Sequence, residues 1–178
     1  MATGPLTLQE INAFDLDTFA ERLGPLFEGP PWVVIEAWRD HPFVSIDHLY
    51  SALCAVMYKA PREQQIMLLQ AHPDLVGRAA LAGTLSSAST GEQAAAGLDQ
   101  LSPEEIATFT RYNQEYRERF GFPFVICARE NKKESILAGF ETRLHNTREQ
   151  EIETALDEVA KICWLRLRDL VDVPEPGR

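Results

Sequence analysis

A chain of 178 residues with 45% hydrophobic content and a net charge of −10 has the make-up of a globular protein large enough for one sizeable core. Its pI near 4.9 excludes a nucleic-acid binder, which needs a basic face, and electrostatic docking on anionic lipid. An anionic substrate would have to be held by a local cation against the field of the whole chain.

The apolar spacing is helical almost throughout, which predicts an all-α fold of about eight or more helices. Asp15 caps a helix with Leu16, Phe19, Ala20 and Leu23 on its stripe, and Gly29-Pro30-Pro31 breaks it. A short helix follows with Trp32, Ile35 and Trp38 facing the core, and His41-Pro42 breaks the chain again. Ser45 caps the next helix, and Pro61 opens another that ends near Ala71. Residues 72–88 read as a loop with a short helix. Ser89-Thr90-Gly91-Glu92 has capping-box spacing, which predicts a short helix from Glu92 to Gly97. Ser102-Pro103-Glu104-Glu105 is a second capping box, and Gly121 is the natural stop of its helix. Residues 122–128 form an apolar, strand-like run without a partner, so an isolated extended segment is expected. Helix resumes from Lys133 to His145, and Thr147-Arg148-Glu149-Gln150 caps a last helix reaching Val171. There is no repeat or linker, so one domain spans 1–178, with an ordered core at about 8–171.

Cys54, Cys127 and Cys163 lie far apart in apolar surroundings and read as buried free thiols of a reducing compartment. No Cys/His spacing suggests zinc. The first five residues lack the pattern of a signal peptide, and no apolar run reaches transmembrane length. The tail 174–178 is no recognisable peroxisomal address. A cytoplasmic protein is expected.

Chemistry concentrates after His72-Pro73-Asp74-Leu75. His72 sits just past a predicted helix C-terminus, where the dipole favours a protonated ring. It reads either as a cap of the last carbonyls or as a general acid. Glu92 reads as the fourth residue of a capping box, a catalytic carboxylate, or both. Gln93 can present a bidentate amide to a heterocycle. The backbone of Phe124, Val125, Ile126 and Cys127 must find partners, which can be ligand atoms, side chains or water. On the last helix, Arg166 falls inside the stripe of Ile152, Ala155, Leu156, Val159 and Cys163, roughly 40° from Ile152 at about 100° per residue. A guanidinium there is either half of a structural ion pair or a clamp for an anion or carbonyl. Asn113 is a polar residue on or beside an apolar helix face.

These motifs in this order resemble the family of 2-oxo-4-hydroxy-4-carboxy-5-ureidoimidazoline (OHCU) decarboxylases. The matching residues are His72-Pro73-Asp74-Leu75 with Gly77-Arg78, Ser89 with Glu92-Gln93, Ala96-Gly97-Leu98, and Asn113 with Tyr116. Further on come Phe120 to Phe124, Ala155-Leu156 with Glu158-Val159, and Leu165-Arg166-Leu167 with Asp169-Leu170. The resemblance implies an all-α homodimer that needs no metal or organic cofactor and converts the ureidoimidazoline to (S)-allantoin, the last step from urate. It implies that His72 is the catalytic histidine and Glu92 its carboxylate partner. It further implies that Ser89, Gln93 and Arg166 hold the substrate, while Pro73 and the backbone of 124–128, through Ala128, complete the pocket wall. The alternatives are a non-catalytic helical ligand-binding or adaptor domain of the same fold, and a metal-dependent hydrolase, for which no HExxH or His-cluster spacing is present.

Overall fold

Helix signals in the sequence are met by helices in the computed structural model, which describes residues 4–172 apart from the side chain of Ala79. Residues 1–3 and the tail 174–178 of the sequence reading lie outside the described residues. Ten α-helices and three 3-10 helices make up the regular structure described, with one isolated bridge and no strand. The chain divides into two compact units, Met1–Arg62 with Ala160–Arg178, and Glu63–Val159.

The first unit contains α1 (Leu8–Ala13), α2 (Leu16–Leu23), α3 (Trp32–Ala37) and α4 (Ile46–Lys59). Thr7 and Glu10 form a reciprocal capping box, Asp15 accepts from the Thr18 N–H, and Ser45 accepts from the His48 N–H. Ile11, Phe19, Leu23, Val34, Leu49, Leu53 and Met57 form its core. The end of α10 (Arg148–Leu170) adds Cys163 and Leu167. Leu6 is bonded to this end through the Leu170 carbonyl and the Asp172 N–H, both at 2.8 Å.

One expectation fails here. Helix α3 buries Val33, Val34 and Ala37, and leaves Ile35 41% exposed with Trp32 and Trp38 only half-buried. A six-residue helix completes fewer than two turns, so a three-residue spacing of large side chains does not fix which face is inward. Cys54 is also only half-buried, whereas Cys127 and Cys163 are buried; all three are free thiols.

The second unit contains α5 (Arg62–Gln70), α6 (Arg78–Leu81), α7 (Ser87–Ala95), α8 (Pro103–Phe120), α9 (Lys133–Arg143) and the start of α10. Ser102 caps α8 in a reciprocal box, and Gly121 ends it at φ 82°, the left-handed region that favours glycine. Thr147 and Gln150 exchange hydrogen bonds at the start of α10, as the spacing predicts. Phe109, Tyr116, Phe120, Phe122, Phe124 and Phe140 form an aromatic core. Phe124 stacks on Phe140 with ring centroids 3.8 Å apart. Residues 122–127 are irregular and unpaired with any strand, as expected, and lead into a 3-10 helix at Ala128–Glu130.

A second correction concerns α7. It begins at Ser87, with the side chain of Ser86 accepting from the Ser89 N–H. The predicted helix from Glu92 to Gly97, capped by Ser89, starts five residues too late. Ser86, Ser87 and Ser89 carry the same capping chemistry, so spacing alone selected the wrong one.

Candidate active site

His72 follows the end of α5, and its ring is almost enclosed, with 7% exposure. Nδ1 lies 2.9 Å from the Leu68 carbonyl. A carbonyl only accepts, so Nδ1 carries the proton. The capping role read from the sequence is therefore real, and it orients the ring.

The loop after His72 is pinned on several sides. The N–H of Gly77 bonds back to the Asp74 carbonyl at 3.3 Å. A Cβ on Gly77 would come within 2.7 Å of the Asp74 Cβ, so this turn needs glycine. Asp74 accepts from Arg117 Nε at 2.8 Å. Asn113 donates its Nδ2 to the Leu75 carbonyl at 2.7 Å, while its buried Oδ1 has no hydrogen-bond partner. Val76 has φ 54°, rare for a β-branched residue and a source of backbone strain. Its N–H donates to Gln93 Oε1 at 3.1 Å, which ties the loop to α7.

On α7, Ser89, Glu92, Gln93 and Ala96 recur at the spacing of one helix face. Ser89 and Gln93 are buried and Glu92 is half-buried. Glu92 lies in the body of the helix, so it caps nothing, and that reading is withdrawn. Because Gln93 already accepts from Val76, its Nε2 donors are the part of the amide best placed for a ligand. Beyond Gln93, a pocket of about 380 Å³ is walled by Val76, Leu81, Leu85, Leu98 and Ile106.

Helix α7 packs on the 3-10 helix at Ala128–Glu130, and Lys132 Nζ donates to the Ala95 carbonyl at 2.7 Å. This brings Glu92 to the 124–128 segment. Burial, with the neighbouring carboxylates of Glu130, Glu158 and Glu92, pushes the Cys127 thiol up to about 11. Pro73 is half-buried; Phe124, Val125, Cys127 and Ala128 are buried, and Ile126 is half-buried. Several backbone groups of the segment are taken by side chains, among them the Cys127 carbonyl, which accepts from Asn131 Nδ2 at 2.9 Å. Glu158 accepts the Cys127 N–H at 2.9 Å, and Arg143 Nη1 donates to the Val125 carbonyl at 2.8 Å.

Arg143 belongs to a buried network that the sequence reading did not find. Its Nε donates to Glu151 Oε1 at 2.7 Å, and Glu151 is 0% exposed. Tyr116 donates to the same oxygen at 2.6 Å, and Asn146 to Oε2 at 2.9 Å. The available signal was the position of Glu151, next to Ile152 on the buried stripe of α10.

Arg166 lies in the first unit, 9% exposed, on the stripe where periodicity puts it, while Arg168 is exposed. Its Nη2 lies 3.0 Å from Glu28 Oε1, and its Nη1 donates to the Pro25 carbonyl at 3.1 Å. The ion pair read as one alternative is thus present. Among the described residues no group of three or more His, Cys, Asp or Glu is arranged to hold a metal ion.

A model of the OHCU decarboxylase family matches residues 12–168. The chain is 44% identical over 164 residues to the 2-oxo-4-hydroxy-4-carboxy-5-ureidoimidazoline decarboxylase of Haloferax volcanii, covering 92% of this chain and 95% of that protein. It is 38% identical over 172 residues to the protein of the same name from Halalkalicoccus jeotgali, covering 97% and 95%. Among solved structures, a crystal structure of (S)-allantoin synthase superposes with a TM-score of 0.75 at 29% identity. That match covers 94% of this chain, which spans 55% of the other. With the family model matching both ends of the helical array and two relatives above 30% identity over nearly all of it, the chain belongs to the OHCU decarboxylase family.

Proposed function

We propose that the chain is a cofactor-independent carboxy-lyase that converts 2-oxo-4-hydroxy-4-carboxy-5-ureidoimidazoline to (S)-allantoin. Family membership supports the reaction. The observation that carries the site is the buried His72, fixed through Nδ1 in a strained loop that is bonded to Gln93.

Loss of CO2 leaves an electron pair on the ring carbon. Adjoining carbonyl and imine-like groups accept it, so the substrate supplies its own electron sink and the chemistry asks for no pyridoxal or thiamine group. The protein has three tasks: turning the carboxylate out of the ring plane, offsetting charge on the ring oxygens, and delivering a proton to one face.

His72 delivers or relays that proton through Nε2. The Leu68 carbonyl sets the orientation of the ring, and Glu92 is the carboxylate partner that the family resemblance assigns to it. Ser89, the Nε2 donors of Gln93 and the backbone of 124–128, with Pro73 beside them, hold the heterocycle and the developing oxyanion. Arg166 is a further ligand-holding side chain, its pair with Glu28 keeping the guanidinium in place. The same reading makes the protein a homodimer, for which family resemblance is the support. Three free thiols support a reducing, cytoplasmic setting, and the net charge of −10 speaks against nucleic acid as a partner. No helix among the described residues is long and apolar enough to cross a membrane.

The test is His72→Asn, assayed by circular dichroism on freshly generated substrate. Acceleration should fall by about 10²–10⁴-fold, the usual worth of general acid-base help, and the product should lose its enantiomer bias. Native rate and native enantiomer purity in this variant would leave His72 as a cap and remove the mechanism. A wild-type protein without acceleration would favour the adaptor reading.

A further inference from the structure

The Arg143–Glu151 pair lies outside the proton-transfer chemistry, and buried ion pairs are weak contributors to stability compared with apolar packing of the same volume. Its geometry is nevertheless specific. The planar guanidinium lies 4.2 Å from the centroid of the Phe124 ring, gives Nε to Glu151, and gives Nη1 to the backbone carbonyl of Val125. Glu151 is itself held by Tyr116 and Asn146, so the fork cannot rotate without breaking several short bonds.

Two residues further on, Glu158 holds the Cys127 N–H. Asn131 Nδ2 holds the Cys127 carbonyl as well. Val125 and Cys127 are thus both anchored by side chains, and Ile126 lies between them. Among the described residues Ile126 makes no backbone hydrogen bond.

We infer that Arg143, locked by Glu151, is a positioning residue for the reaction: by fixing the Val125 carbonyl it sets the register in which the Ile126 backbone meets the substrate. The inference rests on the reading of 124–128 as a substrate-holding wall. Misplacement of such a wall by about 1 Å costs on the order of 100-fold in rate.

Arg143→Lys tests it. Lysine keeps the charge beside Glu151 but cannot serve both acceptors with a rigid fork. In the folded variant KM should rise by about 10–100-fold. The product should lose enantiomer purity, while the pH profile of kcat, set by His72, stays in place. A purely structural pair would lower the melting temperature and leave KM and enantiomer purity of the folded protein untouched; that result overturns the inference. Should Arg143→Lys not melt cooperatively, Glu151→Gln takes its place, with the same expected direction and the same overturning result. Wild-type protein run beside them separates the two levels: an inactive wild type removes the activity itself, whereas an active wild type beside an unaltered folded variant removes the positioning role alone.

Discussion

His41 and His72 share the dipeptide His-Pro but not its consequence. His41 stacks on Trp38 with ring centroids 4.1 Å apart and bonds through Nε2 to the Asn12 carbonyl. His72 bonds through Nδ1 instead, to the Leu68 carbonyl of α5. The two rings are thus held through opposite nitrogens, His41 by a carbonyl 29 residues away in the chain and His72 by one four residues back. The two roles read for Glu92 can be told apart by mutation. Because Ser86 caps α7, Glu92→Gln leaves the cap of this helix in place and should cost less stability than loss of the cap, about 1 kcal/mol. Under the proposed partnership of Glu92 with His72, it should still lower kcat by tens of fold. Thermal melting and single-turnover rates read the two effects separately; a large loss of stability with native turnover would restore the capping role.

At the scale of elements, signals that are local were legible and signals that are not were missed. Asp15, Ser45, Ser102, Thr147 and Gly121 each bond within four residues of themselves, and each marks its helix boundary as the sequence suggests. The unpaired 124–128 segment was also legible, because an apolar run without a partner strand has few other places to go. The Arg143–Glu151 network was not, since its bonds to Tyr116 and Val125 join residues far apart in the chain and no spacing rule announces them. The start of α7 was misread among Ser86, Ser87 and Ser89, three chemically equal caps. The structure now distinguishes them. Ser86→Ala should destabilise α7 by about 1 kcal/mol, seen as faster amide exchange in its first turn. Ser89→Ala should leave that exchange unchanged and raise KM instead. Equal protection in wild type and Ser86→Ala would return the cap to Ser89.

The whole molecule carries its acid and alkaline limits in different places. The family match over residues 12–168 takes in all of the second compact unit and most of the first. Thiols occur in each. Burial raises Cys54 and Cys163 in the first unit, and burial with three carboxylates raises Cys127 to about 11 in the second. Burial also raises the hydroxyls of Tyr50 and Tyr116. In the unfolded chain a thiol ionises near pH ~8.5, so above that value the unfolded state binds fewer protons than the native one. Stability must then fall as pH rises. The contribution is fully present below about pH 8.5 and is lost for Cys127 through about pH 11. At the acid end the sign reverses. Hydrogen bonds from Thr18 hold Asp15 below its ordinary value, and those from Thr7 do the same for Glu10. Their contribution exists above the unfolded carboxylate values and disappears as pH falls through the native ones. The urea midpoint should therefore be broad and flat near neutrality and decline from about pH 8.5 upward. A midpoint that holds constant to about pH 11 would mean that the thiols ionise as readily in the native protein as in the unfolded chain, and that the close packing around Cys127 and Cys163 does not exclude water.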